Sequence, residues 1–567
     1  MGLNATLQLS GRSLEVFSTG IQVAGQNISN ANTPGYIRED LLLTTSLPYK
    51  QGQQVLGTGV QVGGIKQQLN LFLENRIHAA NSEAETINAR LEIYQQLETE
   101  IGELSDTDLS SSLNGFLASV NDVVNQPEEI GLREIAIQQG SKLANDVSTL
   151  RLRIDDLRKL QTVRVNELIN EANTLIDQIS ELNPKITKIE SSGLLQSDAG
   201  ALRTQRYNAL TRLSKIVPIN FRETSDGGVD VRTGSDFLVL GTIKQKLESV
   251  VAIDRGVGVV DVQLTKTKNV ISVTGGELRG VIEGRDSILG GFVDDLDKYT
   301  ATLITQFNTI YTSGEGLSGY DSITGETNVF DTSVALNDAA ALLPSKPENG
   351  SFQIKITNKL TGVQEITNVN IDLDGIGGND TTLASLQATL NGIGNLSASI
   401  TTQGELKLDA GTGYDIRFGN DTSGTLAALG INTFFTGSNS SNIGVNDLVK
   451  QNQEFFATGE GGGPSDGRNI AKLAQFIDKP IAALGGVSLD ESYNSIQSKI
   501  AQSASTEKTV AAGAQGLVDS LLSQREQYSG VSLDEETIKI MEFQQGFQAA
   551  ARLISTIDEL FTILLTM

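Results

Sequence analysis

The 567-residue chain has no cysteine, no tryptophan and a single histidine, His78. Without cysteine there can be no disulfide, no thiolate metal site and no cysteine nucleophile. With one histidine, any histidine triad or metal cluster would have to converge on His78 alone. That residue lies in a helix-like stretch, Arg76-Ile77-His78-Ala79, where a packing or surface role is expected. Basic residues are scarce too: 43 Lys and Arg against 68 Asp and Glu leave a formal net charge of −25, dispersed along the chain. Such a balance removes the basic face that a nucleic-acid partner requires and suits solvent-facing helices. No stretch reaches the ~20 apolar residues that span a bilayer, and the N-terminus has no secretory signal pattern. Nucleic acid, membrane insertion and cofactors are therefore not expected.

What the chain does have is apolar spacing of three and four residues at both ends. Near the N-terminus it runs through Leu3, Leu7, Leu14, Phe17, Ile21, Ala24 and Ile28. It stops at Asn30-Ala31-Asn32-Thr33-Pro34-Gly35-Tyr36, where proline and glycine end a helix. Near the C-terminus it runs through Ile540, Phe543, Phe547, Ala550, Ile554, Ile557, Phe561 and Leu564, after Val510, Ala514, Leu517 and Leu521. Ser532-Leu533-Asp534-Glu535 fits a capping box, so the last helix should start near residue 533. Both patterns are coiled-coil seams.

Between them lie further helical seams. One passes through Ala80, Ala84, Ile87, Leu91, Tyr94, Ile101 and Leu104. A longer one runs from Leu143 through Leu150, Ile154, Leu168 and Ile179 to Ile189, with Pro184 placed to kink or break its last turns. Ile37 to Leu47 and Gln53 to Ile65 read as a hairpin-like extension, and short strands alternate with glycine turns from about Leu213 to Val281 and from Phe352 to Phe435. Gly459 to Pro464 reads as a hinge or surface loop.

The expected fold is thus multi-domain α+β: terminal helices paired as a coiled coil, a long helical rod and outer β-rich domains. The boundaries expected are 1–34 with 530–567 for the terminal element, and 35–212 with 282–345 and 438–529 for the rod. The two β-rich domains fall at 213–281 and 346–437. Apolar outer faces at Leu9, Val16, Val23, Leu553, Leu560 and Ile563 would be left for neighbouring subunits to cover.

Chemical motifs are weak. Gly314-Glu315-Gly316-Leu317-Ser318-Gly319 spells a dinucleotide-type repeat but follows a helix instead of joining strand to helix. Asp372, Asp374, Asn379 and Asp380 suggest a calcium loop, yet Ile376 and Leu383 stand where ligands should be, so a solvated turn is expected. Gly459 to Gly467 lacks the Lys-Ser/Thr pair of a phosphate loop. Asp294-Asp295 and Glu535-Glu536 are adjacent and point to different helix faces, which suits surface charge and capping and not paired catalytic acids.

Several of these segments resemble a known family, the axial proteins of the bacterial flagellum. Asn30 to Tyr36 and Gly57-Thr58-Gly59-Val60-Gln61-Val62 are similar to the N-terminal segment shared by its rod, hook and hook-associated members. Ser529 to Glu536, Phe543-Gln544-Gln545 and Gln548 to Arg552 resemble the C-terminus of a hook-associated member. Gly276 to Gly280 and Asn308 to Gly319 resemble its central helix and loop, except that Tyr311 stands where many relatives have histidine.

The resemblance implies a structural, non-enzymatic protein of the hook–filament junction, exported unprocessed through the flagellar type III apparatus. It implies a ring of copies, with the hook protein, a second hook–filament junction protein and a chaperone at the C-terminal helices as partners. The expected assembly residues are Leu7, Leu14, Phe17, Ile21, Ile28, Asn32, Pro34, Gly35 and Tyr36 at one end. At the other they are Ile540, Phe543, Phe547, Ile554, Ile557, Phe561 and Leu564. Leu7, Leu14, Ile21 and Ile28 are expected to meet Ile540, Phe547, Ile554 and Phe561.

Overall fold

The computed structural model describes residues 2–51, 53–102, 109–191, 197–476 and 479–566. Leu104, at the end of one expected seam, lies outside them. The chain divides into two compact units: Met1–Ile93 with Lys159–Asp286 and Ser505–Met567, and Tyr94–Arg158 with Ser287–Ala504.

In the first unit the N-terminal helix spans Gly2–Asn30 and the C-terminal helix Leu533–Thr566, the limits their turn and capping residues predict. Thr33 and Tyr36 close successive turns by donating to the carbonyls of Asn30 and Thr33. The predicted hairpin is an antiparallel ribbon of Glu39–Thr45 on Val60–Gln67, with a small pair, Tyr49–Gln51 on Gln54–Leu56, beyond it. A four-stranded antiparallel sheet follows, with strands Asn220–Glu223, Val229–Thr233, Asp236–Leu240 and Ile243–Lys244 in chain order. Next comes the hairpin Leu247–Asp254 on Val257–Leu264.

Val165, Leu168, Ile176 and Ile179 of the helix Ile130–Ser191 share one core with Leu210 and Leu213 of the helix Gly200–Ile216 and with Val231, Val239 and Val262 of the strands. That helix continues past Pro184 to Ser191, so the proline does not end it. Gly276, at φ +82°, and Gly280 bring the helix Gly276–Glu283 against the backbones of Ile216 and Thr86 so closely that a Cβ at either would collide.

The second unit holds two three-stranded antiparallel sheets. Gly350–Asn358 is central between Gln364–Ile371 and Tyr414–Gly419, and Leu406–Ala410 is central between Ser322–Thr324 and Leu396–Ile400. A short helix, Leu383–Leu390, capped by Thr382, interrupts what the sequence pattern shows as continuous β structure. Ile354, Phe418, Leu386 and Leu408 lie in its core. Elsewhere in this unit Tyr311, at the end of the helix Gly290–Tyr311, is buried among Phe307, Phe434 and Phe456, and its hydroxyl accepts the Ala457 N–H at 3.0 Å. A histidine would fill this apolar pocket less completely.

Buried Arg133 donates to the carbonyls of Pro127 and Phe456 and to Thr458 Oγ1, each at 2.7 Å. It therefore staples the loop after Phe456 to the start of its own helix. The glycine-rich loop beyond is held by a side chain. Asp466 accepts the N–H groups of Glu460, Gly462 and Arg468 at 2.8, 2.7 and 3.1 Å. The Arg468 guanidinium and those amides hold its carboxyl well below the usual carboxylate range.

Candidate assembly interface

The N- and C-terminal helices pack side by side and antiparallel. Going up the first helix, Phe17 meets Gly546, Gly20 meets Phe543 and Asn27 meets Glu536, so the partner number falls as the residue number rises. A Cβ on Gly20 would come within 2.6 Å of the Phe543 ring, and one on Gly546 within 2.6 Å of the Phe17 ring. Each phenylalanine lies in a notch left by a glycine of the other helix. Glycine inside a helix costs about 1 kcal/mol relative to alanine, so this close approach is its physical compensation.

The residues buried on the N-terminal helix are Ser10, Val16, Gly20, Val23, Ala24 and Asn27. Val16 and Val23 were expected on the outer face; they are instead inside, because the buried stripe is rotated toward them and away from Leu7, Leu14, Ile21 and Ile28. Leu14, Phe17, Ile21 and Ile28 are half-buried at its margins, and Leu7 is 38% exposed. On the C-terminal helix Ile557 is buried with Ala550 and Glu536, while Ile540, Phe543, Ile554 and Phe561 are half-buried. Phe547 and Leu564 face solvent at 39% and 63% exposure. Leu7 and Phe547, both expected among the inner contacts, are thus exposed within this chain. Gly20, Gly546, Asn27 and Glu536 were missed, although mid-helix glycines on an apolar face are themselves a sign of close packing.

Where the first helix ends, Asn27 organises the turn. Its Nδ2 donates to the Glu39 carbonyl at 2.8 Å and to Glu536 Oε2 at 3.0 Å, and its Oδ1 accepts the Glu39 N–H at 3.0 Å and the Tyr36 hydroxyl at 2.9 Å. Glu536 is buried, correcting its reading as surface charge: Lys539 donates to its Oε1 at 2.9 Å and to Asp40 at 2.8 Å. Burial opposes the Lys539 ammonium, yet those two carboxylates together hold its pKa above the ordinary lysine value. Burial, with the nearby charges of Glu39 and Glu536, pushes the Tyr36 phenol up, and burial with Asp198 raises the Glu39 carboxyl.

Ser532 accepts the Glu535 N–H at 3.4 Å, so half of the capping box forms while the Glu535 carboxylate turns to Arg38 at 3.1 Å. Gly35 takes φ +73° beside Asn208, where no side chain fits. Asn32 and Pro34 are exposed, and residues 31–36 with Arg525 and Ser529 to Val531 border a cavity of about 200 Å³.

The remaining motifs serve packing. His78 is buried against the Phe221 ring at 5.3 Å, its Nε2 3.3 Å from Thr211 Oγ1. Gly314, Gly316 and Gly319 admit Asn469, the Glu454 carbonyl and Asp415, which accounts for their spacing without a nucleotide. Asp372, Asp374 and Asp380 do bring carboxylate oxygens within 4.8 Å of one another, in a turn where Asp374 is exposed and Asp372 and Asp380 are half-buried.

Comparison with known proteins adds to this geometry. A model described as the flagellar hook-associated protein FlgK helical domain matches residues 94–327, and one described as the flagellar basal body rod FlgEFG protein C-terminal matches residues 523–567. Flagellar hook-associated protein 1 of Escherichia coli K12 is 24% identical, with 97% of each chain covered. Its Bacillus subtilis 168 counterpart is 22% identical over 98% of this chain and 96% of its own. The solved flagellar hook junction protein FlgK of Burkholderia pseudomallei superposes with a TM-score of 0.51 at 17% identity, covering 81% of this chain and all of that one, and so shares its fold.

Paired terminal helices and the rod-type C-terminal match make this a structural axial protein of the bacterial flagellum. Within that class, the chain is a flagellar hook-associated junction protein, similar over nearly its whole length to flagellar hook-associated protein 1. No helix among the described residues is long and apolar enough to cross a membrane.

Proposed function

We propose that copies of this chain form a ring that joins the hook to the flagellin filament, with the paired terminal helices as a coiled coil forming its inner element. The observation that supports this reading is the number of large apolar side chains left in solvent along those helices: Leu7, Phe547, Leu553, Leu560, Ile563 and Leu564, all between 38% and 63% exposed. Exposed apolar surface of this extent is what a neighbouring subunit covers. Leu14, Phe17, Ile21, Ile28, Ile540, Phe543, Ile554, Ile557 and Phe561 would hold each pair together. Asn32, Pro34, Gly35 and Tyr36 would set the turn at its base.

Before assembly the same C-terminal surface would be covered by an export chaperone, and the unprocessed chain would leave through the type III apparatus. In the ring it would contact the hook protein on one side and the second hook–filament junction protein on the other. We read residues 1–34 with 530–567 as the assembly element, 35–212 with 282–345 and 438–529 as the rod, and 213–281 and 346–437 as outer β-rich parts. No catalytic role is assigned to any of them.

Hydrogen exchange on the purified monomer and on the protein incorporated between hook and filament tests this. Fast exchange at residues 1–34 and 530–567 in the monomer alone is expected, since segments that order on binding pay their entropy at that step. Equal, strong protection in both states would show a self-contained helical pair and remove the basis of the proposal.

A further inference from the structure

The heptad pattern of the terminal helices cannot choose its own register. Phe543, Ala550 and Ile557 on one helix and Val16 and Val23 on the other recur every seven residues, so sliding one helix by two turns would still set apolar residues against apolar residues. Something other than apolar burial has to select the observed alignment.

We propose that the buried Asn27–Glu536 pair is the positioning element that sets the register of the two terminal helices. Both side chains are about 1% exposed. A carboxamide offers two donors and two acceptor sites. Asn27 uses all four, three on Tyr36 and Glu39 of its own turn and the fourth on Glu536 Oε2 at 3.0 Å. Glu536 in turn is fixed from its other oxygen by Lys539, which is anchored to Asp40 of the ribbon. The other buried positions along the two helices are small or apolar, apart from Ser10, whose hydroxyl is satisfied by the Thr6 carbonyl of its own helix at 2.9 Å.

A slip of two turns would carry Glu536 away from Asn27 and leave a carboxylate and a carboxamide buried without their mutual bond. It would also lift Phe17 and Phe543 out of the glycine notches. An unmatched buried polar group costs far more than a misplaced apolar one, which is why one polar pair can specify an alignment that many apolar contacts tolerate equally.

This inference rests on the reading that the terminal helices pair as the inner assembly element, and disulfide trapping in the full chain incorporated between hook and filament, where those helices are ordered, separates the two. The chain has no cysteine of its own, so introduced pairs report cleanly. F17C with G546C joins the observed register, and F17C with L553C joins the register two turns away. With Glu536 intact, only the first pair should oxidise; failure of that pair would refute the helix pairing itself.

In E536L the slipped pair should cross-link about tenfold faster than with Glu536, and E536Q, which keeps an acceptor for Asn27, should restore the single register. Exclusive cross-linking of the observed register in E536L would overturn the assignment. Should E536L not fold, N27L/E536L takes its place and must fold with both registers present. If that variant is unfolded as well, the pair is a requirement of the fold and not a register device.

Discussion

Phe543 occupies the space that a side chain on Gly20 would need, its ring 2.6 Å from where that Cβ would lie. Gly11 and Gly25 of the same helix have nothing within 4 Å of theirs. Substitution by alanine should therefore separate the three. At Gly11 and Gly25 the change should stabilise the terminal helices by about 0.5–1 kcal/mol, the helix-propensity gain. At Gly20 the overpacking should cost about 1–3 kcal/mol and outweigh that gain. Exchange protection of residues 10–27 in each variant after incorporation between hook and filament gives the sign directly; protection that rises in G20A would mean the notch is not a close contact.

His78 makes the first unit sensitive to mild acid. Burial, and secondarily the charge of Arg525, lowers its pKa to about 4 from an ordinary 6.5. Between those values the unfolded chain binds a proton that the folded one refuses, so the stability is complete above about pH 6.5 and falls as pH drops toward 4. The loss is on the order of 3 kcal/mol in all. A denaturation midpoint measured at pH 7 and at pH 4.5 should fall more in the parent chain than in H78Q. Equal slopes would show that His78 titrates normally and is not sealed from water.

Arg133 should be intolerant of shortening. Its guanidinium satisfies two carbonyls and a hydroxyl deep in the second unit, and burial brings its pKa down to about 10, which keeps it charged at neutral pH. R133A leaves those acceptors unpaired beside a cavity and should cost about 3 kcal/mol or more. R133K, with one compact donor group, should recover only part. The readout is proteolytic resistance of residues 456–470, since that loop loses its anchor; an unaltered cleavage rate would contradict the staple.

F547D and I563D should behave in the opposite way. Both positions are exposed, at 39% and 55%, so the monomer should keep its stability to within about 0.5 kcal/mol. Incorporation between hook and filament should nevertheless be lost, because a carboxylate would have to be desolvated against a neighbour's apolar surface. Normal filament attachment in cells carrying either variant would place the subunit contact elsewhere.

Much of the architecture is written in local pattern. The helix limits at Asn30 and Leu533 follow from Pro34, Gly35 and the Ser532 cap, which act within a few residues and so are legible without a partner. The strands near Val229 to Thr233 and Val257 to Leu264 announce themselves by alternation and glycine turns for the same reason. Of the kink or break expected at Pro184, the break did not occur, because a helix held by buried Ile179, Leu182 and Ile186 gains more from continuing than a proline costs it.

The face used by each terminal helix was decided only in three dimensions. Seven-residue spacing fixes that an apolar stripe exists, but a broad stripe contains both Leu14–Ile21–Ile28 and Val16–Val23, and rotation between them changes the local pattern very little. The choice came from Gly20, Gly546 and the Asn27–Glu536 pair, whose partners lie some 500 residues away in sequence. By itself the sequence determined where helices and strands begin and end, and that both ends carry apolar faces, because these depend on neighbours along the chain. Tertiary structure decided the antiparallel register, the burial of Val16, Val23 and Glu536, and the exposure of Phe547, because shape fit and polar satisfaction exist only once distant residues meet.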